Sequence, residues 1–355
     1  MGKVVASDAA KGSAGGDVRL VEGACLSAMR PGMPCSACRQ SCPEGAIRIA
    51  ERMVQIDPAA CSGCGRCASI CPTGAIATPG SGMASLYECA RTRRAEAGAR
   101  VVTCLGGLTP EALRGGLAKG DVTLIDRGWC AACPVSMGRA EPWLAALNEV
   151  NAEAAILGLA SRVRVRREPK ARWRARLAPR GRSADPARRA LFARIAQAGQ
   201  RDEGNGDPLA GLPGRVSASR RRKRAKQLAD LVGNNPLPAA LFPALVLRAP
   251  TRDLQALSRL CPTGALRLRE SDTQASLIFD AIICIACGDC TRSGALGLLS
   301  AGEGAYAGPV QLDTQPRATC PRCRTRFSPR EDQRHCDGCV RDTDLAALAH
   351  GLMRR

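Results

Sequence analysis

Apolar and polar residues alternate with the period of two that is typical of strands in two similar parts of the chain. The runs Ala46–Ile49 and Met53–Ile56 lie close together and predict a short β-hairpin. Ala265–Arg269 and Ser276–Asp280 predict a second hairpin of the same kind. The pattern therefore predicts that one small β unit occurs twice, once near each end of the chain.

A different pattern lies between the two hairpins. Val101–Cys104 is a short apolar run, Thr109 and Pro110 are a typical helix start, and Asp121–Ile125 reads as a strand. A strand, helix and strand joined by a right-handed crossover place their strands parallel, with both carboxyl ends at one edge of the sheet. This stretch therefore predicts a small α/β module.

Residues 161–226 are strongly basic, with 21 Lys and Arg against 5 Asp and Glu. Short helices are predicted at Pro186–Gln197 and Arg222–Leu231. Trp173 and Phe192 are the only aromatic residues here, so the segment lacks the stacking platform of a single-strand binder. A solvated linker, or a docking surface for an acidic redox partner, is favoured over a nucleic-acid site.

Twenty cysteines in 355 residues dominate the composition, whereas aromatic residues number nine and histidines two. Disulfide-dense scaffolds are short and secreted, and no secretory signal is found here, so the cysteines are predicted to be metal-binding thiolates. These thiolates offset part of the formal charge of +20. No window reaches the ~18 apolar residues of a membrane span, and a cytoplasmic location is expected.

Four cysteines are spaced Cys61-x2-Cys64-x2-Cys67-x3-Cys71 and are followed by proline. This is the bacterial ferredoxin spacing, in which three thiolates hold one 4Fe-4S cluster and the fourth ligates a second cluster. A preceding group has the spacing Cys25-x9-Cys35-x2-Cys38-x3-Cys42, with Cys25 standing in for a ligand expected at Gly32. Crossed ligation then predicts two clusters, cluster 1 on Cys25, Cys35, Cys38 and Cys71 and cluster 2 on Cys42, Cys61, Cys64 and Cys67.

These two cysteine groups resemble the ferredoxin-type proteins of the periplasmic nitrate reductase system, which have the same long gap before C-x2-C-x3-C and then a regular run. The resemblance covers about the first 80 residues. It implies an accessory or electron-transfer protein in the cytoplasm and does not identify the partner.

A third cysteine group belongs to the α/β module and consists of Cys89, Cys104, Cys130 and Cys133. The predicted topology brings these thiols to one edge of the sheet, where they could bind a 2Fe-2S cluster or zinc. The stretch also resembles the delta subunit of methyl-viologen-reducing hydrogenases, which holds a 2Fe-2S centre, although the final cysteine pair is more closely spaced here. The alternative is that Cys89 and Cys104 are simply buried small residues.

The second predicted hairpin is flanked by an incomplete ferredoxin motif. Cys261-Pro-Thr-Gly-Ala repeats the sequence that follows Cys71, but Thr251, Leu254 and Leu257 occupy the preceding ligand positions. A run of three cysteines then lacks its final Cys-Pro. The two losses are complementary and leave the ligands of one predicted 4Fe-4S cluster, cluster 3, on Cys261, Cys284, Cys287 and Cys290.

Two C-x2-C pairs close the chain, at Cys320, Cys323, Cys336 and Cys339. This spacing predicts a tetrahedral zinc ribbon. A rubredoxin-type iron site has the same ligands but usually a larger aromatic core than Phe327 provides. His335 is expected at the surface, because four thiolates already saturate the metal.

The fold class is therefore predicted as α+β, with a two-cluster and a degenerate one-cluster ferredoxin-like module, a small α/β four-cysteine module and a zinc ribbon. The predicted divisions are a flexible N-terminus at 1–22, the two-cluster domain at 23–82, the α/β domain at 83–160, a basic linker at 161–233, the one-cluster domain at 234–305 and the ribbon with a C-terminal helix at 306–355.

No substrate site is visible in the sequence. The expected function is electron transfer, as a carrier or redox subunit of a larger oxidoreductase. Two alternatives remain: an iron-sulfur maturation factor for a partner such as a molybdenum enzyme, and a nucleic-acid-associated protein.

Overall fold

The computed structural model describes residues 18–21, 23–30, 35–50, 53–78, 82–90, 95–139, 141–169, 215–233, 235–248, 254–299, 308–329, 333–343 and 345. The predicted flexible N-terminus lies almost wholly outside this set, as do Gly32, Thr251 and the helix predicted at Pro186–Gln197. The chain divides into two compact units, Met1–Leu241 and Phe242–Arg355.

In the described part of the first unit there are eight short strands and six α-helices. Its strands are β1 (Arg19–Leu20), β2 (Ile47–Ala50), β3 (Met53–Ile56), β4 (Ile76–Ala77), β5 (Leu86–Cys89), β6 (Arg100–Val102), β7 (Val122–Asp126) and β8 (Val163–Arg167). Its helices are α1 (Leu26–Met29), α2 (Ala37–Ser41), α3 (Arg66–Ile70), α4 (Pro110–Leu117), α5 (Leu144–Ile156) and α6 (Ser219–Val232).

Residues 18–78 form a small ferredoxin-like module. The predicted first hairpin is present as β2 and β3, paired antiparallel with Ile47 opposite Ile56, and β1 pairs with β4. Along the chain, helix α2 precedes the β2–β3 hairpin and helix α3 follows it, and each helix contains one cysteine. Ile47, Ile76 and Cys67 are buried in one apolar cluster, so the core is built around the thiols themselves.

The α/β module is a four-stranded parallel sheet with the order β6-β5-β7-β8. Helix α4 begins as predicted, because the Thr109 side chain accepts a hydrogen bond from the backbone N–H of Ala112. Strand β5, which the sequence did not predict, lies between the two predicted strands β6 and β7. Tyr87 and Trp143 are buried in the core of this module.

The structure differs from the predicted linker at 161–233. Residues Val163–Arg167 form β8, which pairs with β7 along its whole length. The helix predicted at Arg222–Leu231 lies within α6, where Leu228 is fully buried. Both ends of the basic segment therefore belong to the folded first unit.

Among the residues that the structure describes, the second unit has seven strands, the α-helix α7 and a helical stretch over 337–343. These elements are β9 (Ala244–Leu247), α7 (Leu254–Leu260), β10 (Leu266–Glu270), β11 (Gln274–Asp280), β12 (Leu296–Leu299), β13 (Pro309–Pro316), β14 (Ala318–Thr319) and β15 (Arg326–Phe327).

The predicted second hairpin is present as β10 and β11, paired antiparallel with Leu266 opposite Phe279. Strand β13 continues this sheet by pairing with β11. The predicted boundary at 305 and 306 therefore does not separate two sheets, because β13 belongs to the sheet of the hairpin.

Helix α7 lies just before Cys261, at the positions where a complete ferredoxin motif would have further cysteines. Leu254 and Leu257, which stand at two of those positions, are buried. These leucine side chains contribute apolar core.

Candidate metal centres

The first centre is a cavity of about 380 Å³, open mouth included, inside the ferredoxin-like module. The four cysteines predicted for cluster 1 line it together with apolar side chains from β1, β2 and β3. Burial raises the pKa of Cys38 to about 11, and the neighbouring Cys71 thiol adds to that rise. A positively charged metal core would offset this cost of ionising the thiols. The cysteines that line the cavity are Cys25, Cys35, Cys38 and Cys71.

Cys25 enters this cavity from a separate segment. It is the residue that begins helix α1, and Ser27 in that helix both donates to the carbonyl oxygen of Cys35 at 2.8 Å and accepts from its N–H at 3.0 Å. This reciprocal pair holds α1 against the next ligand loop. Sequence spacing gave no signal for Ser27.

The thiols predicted for cluster 2 also lie close together. Burial raises the pKa of Cys67 to about 12, and three neighbouring thiols add to the rise because their negative charge would oppose a second thiolate. Those three neighbours are Cys64, Cys61 and Cys42. Cys42 comes from the other cysteine group, so thiols of the two groups lie near each other in the folded chain.

The four cysteines of the α/β module meet at the carboxyl edge of its parallel sheet, because each follows or ends a strand. Burial raises the pKa of Cys130 to about 12. The negative charges of Asp126, Cys89 and Cys104 add to that rise. Cys133, the remaining predicted ligand, is also among its close neighbours. Cys89 itself ends strand β5, which the sequence did not predict.

This site lies directly beside the cluster 2 loop. A Cβ added to Gly107 would be only 2.0 Å from the carbonyl oxygen of Cys64, so the two backbones approach more closely than any side chain would permit. Ser69 donates to the carbonyl oxygen of Leu108 at 3.0 Å in the same contact. The two candidate centres are therefore neighbours through backbone contact.

A second cavity, of about 330 Å³ with its mouth included, lies in the second unit. Its lining contains all the thiols predicted for cluster 3, with Leu245, Leu266 and Phe279 as apolar walls. The Cys261 sulfur lies 3.6 Å from the Thr263 hydroxyl, which matches the 3.7 Å between Cys71 and Thr73. The repeated Cys-Pro-Thr-Gly-Ala sequence therefore has the same geometry in both units. The lining cysteines are Cys261, Cys284, Cys287 and Cys290.

The sulfur atoms of the four C-terminal cysteines lie closer together than the ligand sulfurs around a 4Fe-4S cluster do. The four sulfur atoms of Cys320, Cys323, Cys336 and Cys339 all lie within 4.8 Å of one another. A tetrahedral ion with Zn–S bonds of about 2.3 Å places its sulfurs about 3.8 Å apart. Backbone N–H groups of Cys323 and Cys336 lower the pKa of Cys320 to about 6, which favours a thiolate ligand.

Many side chains of the basic segment form ion pairs inside the first unit. Arg224 binds Glu153 at 2.7 Å and Arg220 binds Glu111 at 2.7 Å, both largely buried. Arg164 pairs with exposed Asp121 at 2.8 Å. The segment therefore presents less unpaired positive charge than the sequence suggests. No helix in the described part of the chain has the length and apolarity needed to cross a membrane.

Cysteines that line two apolar cavities, in a chain of mixed helix and strand structure, are typical of an iron-sulfur protein. In agreement, residues 33–75 match the family model described as the 4Fe-4S dicluster domain. The match includes seven of the eight cysteines predicted for clusters 1 and 2, all except Cys25. No curated protein and no solved structure gave a significant match. These findings support a 4Fe-4S ferredoxin-type electron-transfer protein.

Proposed function

We propose that the protein carries single electrons through three 4Fe-4S clusters for a larger oxidoreductase, as a redox subunit or as a carrier. A bound 4Fe-4S cluster would supply reversible one-electron reduction. The observation that supports the proposal is that cysteines from separate parts of the sequence line one apolar cavity in each unit.

The ligand sets follow from this grouping. Cluster 1 is assigned to the Cys25 set, cluster 2 to the Cys42 set and cluster 3 to the Cys261 set, each as given above. The Cys320 set is assigned to structural zinc, because its sulfur spacing suits a single tetrahedral ion. The Cys89 set is assigned to a 2Fe-2S cluster or a second zinc.

The surrounding residues support electron transfer over a purely structural role. The backbone contact at Gly107 brings the Cys89 set close to cluster 2, so an electron could pass between two centres within the first unit. Cys287 is exposed at the third site, so cluster 3 would be within reach of a docked partner. The partner itself is expected to be an acidic redox protein, and a molybdenum enzyme is one candidate. A cytoplasmic location is part of the same proposal, since thiolate clusters assemble in reducing compartments.

Metal analysis of anaerobically purified protein tests the proposal. We expect about 12 iron per chain, from four per cubane, or about 14 if the Cys89 set holds a 2Fe-2S cluster, with the remaining metal as zinc. Reduction should give several interacting EPR signals. Colourless protein, or a single isolated cluster, would refute the proposal. Transfer of clusters to an apo-protein without reversible reduction would favour the maturation factor instead.

A further inference from the structure

The loops that carry clusters 2 and 3 are equivalent residue for residue. Each begins at an aspartate whose N–H closes the preceding hairpin and whose side chain accepts a backbone N–H two residues later. The corresponding distances are 2.8 and 2.9 Å for Asp57, and 2.7 and 3.1 Å for Asp280. The first cysteine follows four residues after the aspartate in both loops. Positions in the two loops can therefore be compared directly.

One buried position differs in the sign of its charge. Between the second and third cysteines, each loop has a glycine in the left-handed region, Gly65 at φ 77° and Gly288 at φ 74°. The next residue is Arg66 in one loop and Asp289 in the other, with exposed fractions of only 5% and 4%. The same place beside two homologous clusters therefore holds opposite charges.

The local surroundings preserve both charges. The Arg66 guanidinium donates to the carbonyl oxygen of Val135 at 2.7 Å, a neutral partner that leaves its positive charge in place. Asp289 lies 2.9 Å from the guanidinium of Arg292, whose side chain is 60% exposed and so is screened by water.

Each charged residue lies within its own ligand run, because Arg66 stands between Cys64 and Cys67 and Asp289 stands between Cys287 and Cys290. A buried charge is screened by salt much less than an exposed one. Each buried charge is therefore placed to act on the electrostatic potential at its own ligand set.

Reduction adds one negative charge to a cluster, so a buried positive neighbour favours the reduced form and a buried negative neighbour disfavours it. Resting on the proposed function, we propose that Arg66 and Asp289 separate the reduction potentials of two otherwise equivalent clusters, making cluster 3 the stronger reductant. The second unit then receives electrons from a low-potential donor, and the first unit delivers them to an acceptor of higher potential.

Redox titration of the full-length protein, followed by EPR, tests this inference in two neutral variants. Asp289→Asn should raise the midpoint of one cluster, and Arg66→Met should lower that of a different cluster. For a one-electron couple, a tenfold change in the ratio of reduced to oxidised cluster at fixed potential corresponds to about 59 mV, and we expect shifts of this order. Arg66→Lys should restore most of the wild-type value.

Two exposed charges provide matched controls. Arg164→Met and Asp272→Asn remove side chains that are 64% and 86% exposed, and neither should move a midpoint measurably. If Arg66→Met fails to bind iron, Asp289→Asn alone tests the inference, because Asn keeps the shape of Asp and removes only its charge. If both variants bind their full iron content but their midpoint potentials do not change, or change in the same direction, this inference is overturned and the proposed function stays intact. Absence of reducible clusters in the wild type would overturn both.

Discussion

At the scale of single residues, Gly107 has no side chain, and this lets the backbone after Cys104 lie close to the backbone at Cys64. This glycine belongs to the turn after Cys104, and its neighbour across the contact is the carbonyl group of Cys64. An added methyl group could be accommodated only by moving one ligand loop away from the other.

We therefore expect Gly107→Ala to destabilise the first unit by about 1–3 kcal/mol, the usual effect of overpacking. Anaerobic urea unfolding, followed by the iron-sulfur absorbance, measures this change. Gly308→Ala is the control, since a Cβ there meets nothing within 4 Å and should change stability by less than about 0.5 kcal/mol. Equal effects of the two substitutions would show that the contact at Cys64 is not tight.

At the scale of elements, helix α6 holds the ferredoxin-like and α/β modules together through Arg220. Its guanidinium donates to the carbonyl oxygens of Ala68 at 3.2 Å and Ser69 at 3.1 Å, and also to that of Cys71. These carbonyls end helix α3, where a positive charge is favourable. Burial alone would raise the pKa of Glu111, but the adjacent Arg220 charge outweighs it and holds that pKa below its usual value.

Arg220→Met should destabilise the first unit by about 3–5 kcal/mol, because Glu111 would keep a largely buried charge without its main partner. Since the folded-state pKa of Glu111 is depressed, this stabilisation is present at neutral pH and is lost as the pH falls through that lowered value. The free energy of unfolding of Arg220→Met and of a control variant is measured by anaerobic urea unfolding. The exposed pair of Arg164 and Asp121 serves as control, and Arg164→Met should cost less than about 1 kcal/mol. Similar losses of stability in Arg220→Met and Arg164→Met would mean that the buried ion pair contributes no more than the exposed one.

The sequence predicted the local elements better than the contacts between them. Both hairpins and the start of α4 follow from alternation and capping, which depend only on neighbouring residues. Cysteine spacing indicates which thiols belong to one cavity, because the spacing reflects the shape of the ligand loop. Strand β8 was missed because its alternating arginines look like a charged linker, although an edge strand can expose them. Arg66 and Arg220 were missed because their partners are distant in sequence, and Ser27 was missed because its bonds to Cys35 leave no mark on the residue pattern.

At the scale of the whole molecule, each of the two compact units contains at least one predicted cluster, and only the second contains the tightly spaced C-terminal thiols. A metal bound at those thiols should therefore be removable without loss of the iron centres proposed for the first unit. Short ligand loops of this kind would depend on the bound ion for their structure.

Cys336→Ser should remove one zinc equivalent while the EPR signals of clusters 1 and 2 remain. Elemental analysis and EPR of the same sample measure the two outcomes. His335→Ala is the adjacent control and should keep its full zinc content, because His335 is exposed and four thiols already complete the site. Loss of clusters 1 and 2 in the serine variant would contradict this independence.

The leucines of α7 have a consequence for the stoichiometry of electron delivery. If the second unit holds one cluster, as proposed, with Leu254 and Leu257 in place of further ligands, it would store one electron at a time, whereas a first unit with two clusters would store two. A donor that releases electrons in pairs would then have to keep its second electron until the first had moved on. On the proposed assignment, its cofactor would have to be stable with an odd number of electrons, as a flavin is and a nicotinamide is not.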